Sequence, residues 1–470
     1  MHFHVLDESE CACLFHSVLH CLERTGINVL NKDARALLAD AGARVDGERV
    51  RLPAELTREA LAASPKGFTL FGRDPQRKME VAPGKVHFGP GLTSSYFIDP
   101  HTGERRKPLR QDLVSAARVS DSLENIDYLM GLVMPADIPA SQASVIEFAE
   151  MVTHSGKPLI AWADSVSNLE DIYRIATAVR GSEERLQERP LFALFAVGLG
   201  PLVHPDVVMA KVLWCAERHI PLVYHGHGVA GVSAPVTGAG SLVVNLAGCL
   251  SGLVIAQLKQ PGTPVCMGAV PAPMDPHTCR PSYGSPELNL YSAAIADVAH
   301  YLELPYMGTA GASEAKCLDL QAAIESTTQV IFSLLSGTTL PHDAGFLDCA
   351  DIGSLELLVM NDEIISMARR IMRGIEINED TLMLDLIDRI GPGGEFISTD
   401  ETAHHFRQEI WRPRLMDRQP WTVWSEKGSH GMHDRIQERI HNILATHTPP
   451  PLPEGAVEQI NQILKCCDSQ

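Results

Sequence analysis

From about Ile126 to Arg373 the chain repeats one phrase: a short apolar run rich in β-formers, ending in small or polar residues, then a longer stretch with helical spacing. With one earlier run included, the strand-like segments are residues 86–89, 128–134, 159–163, 191–197, 221–225, 264–267, 305–308 and 338–344. Strand runs alternating with helical patterns predict βαβ units and a parallel sheet. Eight such units, with no early G-x-G-x-x-G turn after a strand, predict a (β/α)8 TIM barrel rather than an open doubly wound sheet. Barrel chemistry sits at the carboxyl ends of the strands, which is where candidate residues are sought.

The same pattern divides the chain. Residues 1–80 read as an α-rich segment with a hairpin-like element at 45–51, residues 81–374 as the barrel, and residues 375–470 as a helical extension. In the extension, Gly391-Pro-Gly-Gly394 reads as a helix stop, because the Lys-Ser/Thr that a phosphate loop needs is missing. Trp411, Trp421 and Trp424 lie among charged residues there, a spacing suited to pinning the extension onto the barrel or a sister subunit.

Composition narrows the classes. With 45% hydrophobic and 21% charged residues the chain is an ordinary globular one, and its net charge of −19 argues against a nucleic-acid surface. The longest apolar stretch, residues 240–258, is broken by Asn245, Gln257 and glycines, which predicts a buried barrel helix and no membrane span. The first residues show no basic start leading into an apolar run. Together with eleven scattered cysteines, read as reduced thiols, this gives the expectation of a cytoplasmic protein.

The strand ends gather a particular set of side chains. Trp162 closes the third run, Phe195 the fourth, Tyr224, His225 and His227 the fifth, Met267 the sixth, Tyr306 and Thr309 the seventh, and His342 and Phe346 the eighth. Tyr96 and Phe97 add two rings from a hairpin-like segment after the first run. An aromatic mouth suits a cationic quaternary ammonium, each desolvated ring contributing about 0.5–2 kcal/mol; ordinary barrel packing accounts for part of the same set. His225, His227, His277 and His342 also raise the question of a metal. A barrel metallohydrolase carries its His-x-His on the first strand, whereas here it is on the fifth, so no bound metal is expected. The histidines remain candidates for acid–base or polar binding roles.

Several motifs occur in order with barrel spacing: Ser233-Ala-Pro-Val-Thr-Gly-Ala-Gly240, Pro261-Gly-Thr-Pro-Val265, Asn361-Asp-Glu-Ile-Ile365, Thr402-Ala-His-His-Phe-Arg407 and Trp411-Arg-Pro-Arg-Leu-Met-Asp-Arg418. Together they resemble the trimethylamine methyltransferase superfamily over most of the chain. The resemblance implies a TIM barrel that works with a cognate corrinoid protein, the cobalamin being carried by that partner, and it implies a homo-oligomer. Archaeal members carry pyrrolysine near the eighth strand; this chain has none, and its His342-Asp-Ala-Gly-Phe346 is similar to the H-D-x-G-[YF] segment of the non-pyrrolysine branch. That branch demethylates quaternary amines such as glycine betaine. A quaternary amine leaves as a neutral tertiary amine, so no general acid is required, and cobalt(I) acts as nucleophile. The expectation is a betaine:corrinoid methyltransferase feeding one-carbon metabolism, with His342 orienting the substrate. Proline betaine, carnitine or a choline-like amine, or non-catalytic binding of such an amine, are the alternatives.

Overall fold

The computed structural model describes residues 2–74 and 76–467. Five parallel strands pair in chain order at its centre: β1 Leu159–Ala161, β2 Phe192–Val197, β3 Leu222–Gly226, β4 Val265–Ala269 and β5 Tyr306–Met307. The register sets Leu222 opposite Leu194 on one side and Val265 on the other. Helices separate successive strands, as the alternating pattern predicts.

The other three predicted runs form no regular ladder. They are tied to the sheet by single bridges and backbone hydrogen bonds. Ile160 N–H donates to Leu129 at 2.9 Å, Leu340 N–H to Tyr306 at 3.0 Å, and His342 N–H to Gly308 at 2.9 Å. Gly89 N–H donates to Pro341 at 3.1 Å and Leu132 N–H to Gly91 at 2.9 Å. Regular pairing fails here for a local reason: Pro90 and Pro341 have no N–H to give, and Leu132 and Asp343 take positive φ values of 63° and 81°.

Successive strand residues point to opposite faces, and the packing follows that alternation. Ile160, Ala193, Val223, Cys266 and Met307 face inward with Tyr128, Met130 and Leu340. Leu70, Met79 and Val81, from the antiparallel hairpin Phe68–Phe71/Lys78–Val81, join the same inner cluster, so this hairpin packs against one end of the core. The opposite face, including Leu194, Tyr224, Val265 and Met267, packs under the helices. Among those is α2 (Gly238–Lys259), long and apolar enough to span a membrane but mostly buried inside the protein, as expected for residues 240–258. A helix covered on all sides has no need of a polar face.

The first 80 residues are less purely helical than predicted. Ile27–Val29 pairs in parallel with Val203–His204 and antiparallel with Arg49–Arg51, which ties this segment to the chain just after β2. Towards the other end, α3 (Leu355–Arg373) starts on the Ser354 hydroxyl, which accepts from Leu357 N–H at 3.2 Å, and ends with Arg370 and Arg373 beside its negative pole. Trp411 donates to Ser366 on α3 at 3.0 Å, and Ile436, Ile440 and Ile443 of Met432–Thr446 bury themselves in the cluster that contains α3. Between these anchors, the helices Glu379–Leu382, Leu384–Ile390, α4 (Asp400–Glu409) and Trp421–Glu426 bury one residue, Leu386.

Candidate active site

At the carboxyl end of the sheet the inward positions bring together Phe195, His225 and His342. The ring centroids of Phe195 and His225 lie 4.6 Å apart, those of His225 and His342 5.5 Å, and those of Phe195 and His342 6.0 Å. The His225 imidazole lies over the backbone of Gly268 on β4, where any Cβ would fall 1.9 Å from the ring. Glycine is therefore the residue that admits this histidine. Burial drives its pKa well below the ordinary value, so His225 is neutral, and its Nε2 is buried without a hydrogen-bond partner.

His342 is held differently. Its Nδ1 lies 2.7 Å from the Gly308 carbonyl, which only accepts, so Nδ1 carries a hydrogen and donates it. Nε2 then faces Asp343 Oδ1 at 3.3 Å. Asp343 is buried, its carboxyl pushed up by desolvation against the opposing pull of His342 and of Thr309, whose hydroxyl donates to Oδ2. The two side chains thus face each other inside the fold, with the Thr309 hydroxyl bracing the far oxygen of the carboxyl. Asp343 reaches this place with φ of +81°, a conformation costing a non-glycine residue on the order of 1 kcal/mol or more.

A third group borders the mouth. Trp162 follows β1 with its indole partly open, and Nε1–H donates to Glu147 Oε2 at 3.0 Å. Glu147 belongs to α1 (Ala143–His154), is fully enclosed, and also accepts a backbone hydrogen bond from Gly131. Burial pushes its carboxyl up to about 7, against which those two hydrogen bonds pull it down.

Other residues expected at the mouth lie elsewhere. Tyr224 faces outward against Gly252 of α2, and its hydroxyl meets His204 Nδ1 at 2.5 Å, with Ser251 on the other ring nitrogen at 2.8 Å. Met267 lies opposite Tyr224 in register and shares its outward face, and Tyr306 donates to the Ala269 carbonyl at 3.0 Å from that same layer. Phe97 and Phe346 are buried beneath the helices of a second outer cluster. Tyr96 is already covered by this chain's own cations, with Arg105 at 3.2 Å and Lys107 at 3.8 Å from its ring centre. Thr309 supports Asp343. His227 is exposed beside His225, whereas His277 sits in an exposed turn on Asp275. Among the described residues no three His, Cys, Asp or Glu side chains are placed to share a metal ion.

Two important groups, Glu147 and Asp343, were not singled out from the sequence. Asp343 lies inside the quoted His-Asp-x-Gly segment, and that adjacency was the available signal. For Glu147 the only hint was a carboxylate in the middle of an apolar helix.

The sequence profile of the trimethylamine methyltransferase (MTTB) family matches residues 1–465. The chain belongs to the trimethylamine methyltransferase family. Within it, the chain is 30% identical to the trimethylamine methyltransferase MttB of Desulfitobacterium hafniense (strain DSM 10664 / DCB-2), over 98% of this chain and 93% of the relative. It is 29% identical to the glycine betaine methyltransferase of Desulfitobacterium hafniense (strain Y51), over 96% and 94%, and 30% identical to MttB of Methanosarcina thermophila, over 95% and 94%. The solved hydroxylamine complex of MtmB matches its fold with a TM-score of 0.52 at 12% identity, covering 93% of this chain and 88% of that one. The protein is thus a methyltransferase of the corrinoid-dependent methylamine and betaine family.

Proposed function

We propose that the protein moves a methyl group from a quaternary amine, glycine betaine foremost, to the cobalt(I) of a corrinoid carried by a cognate partner protein. The observation that carries this reading is the buried Nε2 of His225, which has no hydrogen-bond partner and lies beside an aromatic ring at the inner site. Burial keeps His225 neutral, and Trp162 and Phe195 offer partly open ring faces. A betaine matches both features, since its carboxylate accepts a hydrogen bond and its quaternary cation suits an aromatic face.

In this reading the trimethylammonium group rests against Trp162 and Phe195. The orphaned Nε2 of His225, in its N–H form, donates to the substrate carboxylate, and His342 fixes the tilt of the molecule. The partner's corrinoid, when docked, supplies the nucleophile for the methyl group. The residues of this chain need only orient the carbon in line and keep water out, because the departing amine takes no proton. Proline betaine and carnitine share both ends with glycine betaine and differ in bulk; a choline-like amine would offer His225 Nε2 a neutral hydroxyl in place of a carboxylate, a weaker acceptor.

We read the eight runs as one (β/α)8 barrel with the domain limits at residues 80 and 374, supported by the backbone hydrogen bonds that join residues 338–344 to residues 86–91. A cytoplasmic setting is supported by the free state of the described cysteines. The test is direct: mix the protein with cob(I)alamin and a panel of methylated amines, and follow formation of methylcob(III)alamin. Turnover with glycine betaine above choline and trimethylamine supports the reading. Turnover with trimethylamine alone overturns it.

A further inference from the structure

The extension after α3 carries two unmatched surfaces of opposite character. The first is an arm, residues 375–400. Ile375, Ile377 and Ile397 are 85%, 77% and 81% exposed, and Leu384 is 63% exposed. Among the described residues none of Glu376, Glu379, Asp380, Asp385, Asp388 and Glu395 forms an ion pair, and the arm's one cation, Arg389, is bound to Glu401 at 2.7 Å. The arm is therefore acidic and apolar together.

The second surface is a groove of about 1130 Å³ whose apolar lining is Phe406, Ile410, Trp411, Pro413 and Met416. Five arginines border it, at 407, 412, 414, 418 and 435, against one carboxylate, Asp417. Arg414 is paired with Glu124. Arg418 meets the Trp411 carbonyl at 3.1 Å and lies over the Trp411 ring, Arg435 meets the carbonyls of Leu415 and His430, and among the described residues none of Arg407, Arg412, Arg418 and Arg435 is paired with a carboxylate. In a chain of net charge −19, this groove is a local basic exception.

We propose that the groove receives residues 375–400 of a second copy of this chain, each copy giving its arm to the other about a two-fold axis. Apolar side chains meet apolar lining, and unpaired carboxylates meet unpaired guanidiniums. A copy does not fill its own groove: its arm meets the first turn of α4 through the Arg389–Glu401 pair, while the groove opens at the last, roughly 8–14 Å further along. No arm residue lines it. Exchange of two such arms reaches the scale of a stable interface, about 20–30 residues a side, and using the same patch on both copies closes the assembly.

The experiment is sedimentation equilibrium on the full chain. The expected wild-type mass is an even multiple of 51.2 kDa. Ile375→Asp/Ile377→Asp/Ile397→Asp should raise the dissociation constant roughly a hundredfold or more, and Arg412→Glu/Arg418→Glu should do the same. Mixing Arg412→Glu/Arg418→Glu with Glu379→Lys/Asp380→Lys/Asp385→Lys pairs opposite charges at both contacts, so dimers should return in the mixture and in neither protein alone; a misfolded chain would not be rescued. A monomeric wild type overturns the proposal, including the case in which the arm binds a different protein. So does a dimer that survives both sets of substitutions.

Discussion

The two faces of the sheet near its carboxyl end hold much the same residue types and do opposite things. On the outer face the polar tips of the strand residues are paired: Tyr224 meets His204, His204 meets Ser251, and Tyr306 donates to Ala269. On the inner face His225 Nε2 has none, Asp343 is held in a left-handed backbone conformation, and Trp162 and Phe195 remain partly open. A satisfied polar group is part of the fold. A buried one left unsatisfied costs on the order of 1–3 kcal/mol, which a hydrogen-bonding ligand would offset.

Substitutions on the two faces should separate activity from stability. The largest effect is expected from His342→Ala, which should lower kcat/KM for methyl transfer at least about a hundredfold, the scale of a lost orienting contact, with the far-UV circular dichroism unchanged. Full activity in that variant would remove His342 from the site. Next comes the pH response of Glu147. Its folded-state value of about 7 stands above the ordinary 4.5, so its contribution to stability is complete below about pH 4.5 and lost as the pH rises through 7, a difference of about 3 kcal/mol. Urea unfolding at pH 5 and pH 8 should show that loss in the wild type, and Glu147→Gln should flatten it. An equal slope in both proteins would contradict the enclosed carboxyl.

The outer face should respond in the opposite sense. Tyr224→Phe strands His204 Nδ1 and should cost about 1–3 kcal/mol in urea unfolding, while kcat/KM per folded molecule stays within about twofold. A large kinetic defect would mean that this tyrosine reaches the substrate after all. The smallest effect is expected from Trp162→Phe: a KM raised roughly threefold to tenfold with kcat near that of the wild type, since one ring face is exchanged for a weaker one.

How far the sequence disclosed this site depends on register. The alternating runs located all five regular strands within a residue or two, and β3 shows why that was not enough. Tyr224 and His225 are neighbours with opposite fates, and a one-residue error exchanges the core for the site. His225, His342, Phe195 and Trp162 were legible as strand-end residues; Tyr224 and Met267 carried the same label and proved to be packing. Glu147 was hidden because its role comes from a contact across the fold to Trp162 and Gly131, which no spacing along the chain records. The short strands Ile27–Val29 and Val203–His204 were hidden likewise, since each gains its structure from the other.

The most direct measurement is a crystal structure of the protein soaked with glycine betaine. The account predicts the carboxylate within hydrogen-bonding distance of His225 Nε2, the trimethylammonium group against Trp162 and Phe195, and one methyl turned to the opening. Betaine bound elsewhere, or an inner site empty of it at saturating concentration, would contradict that account.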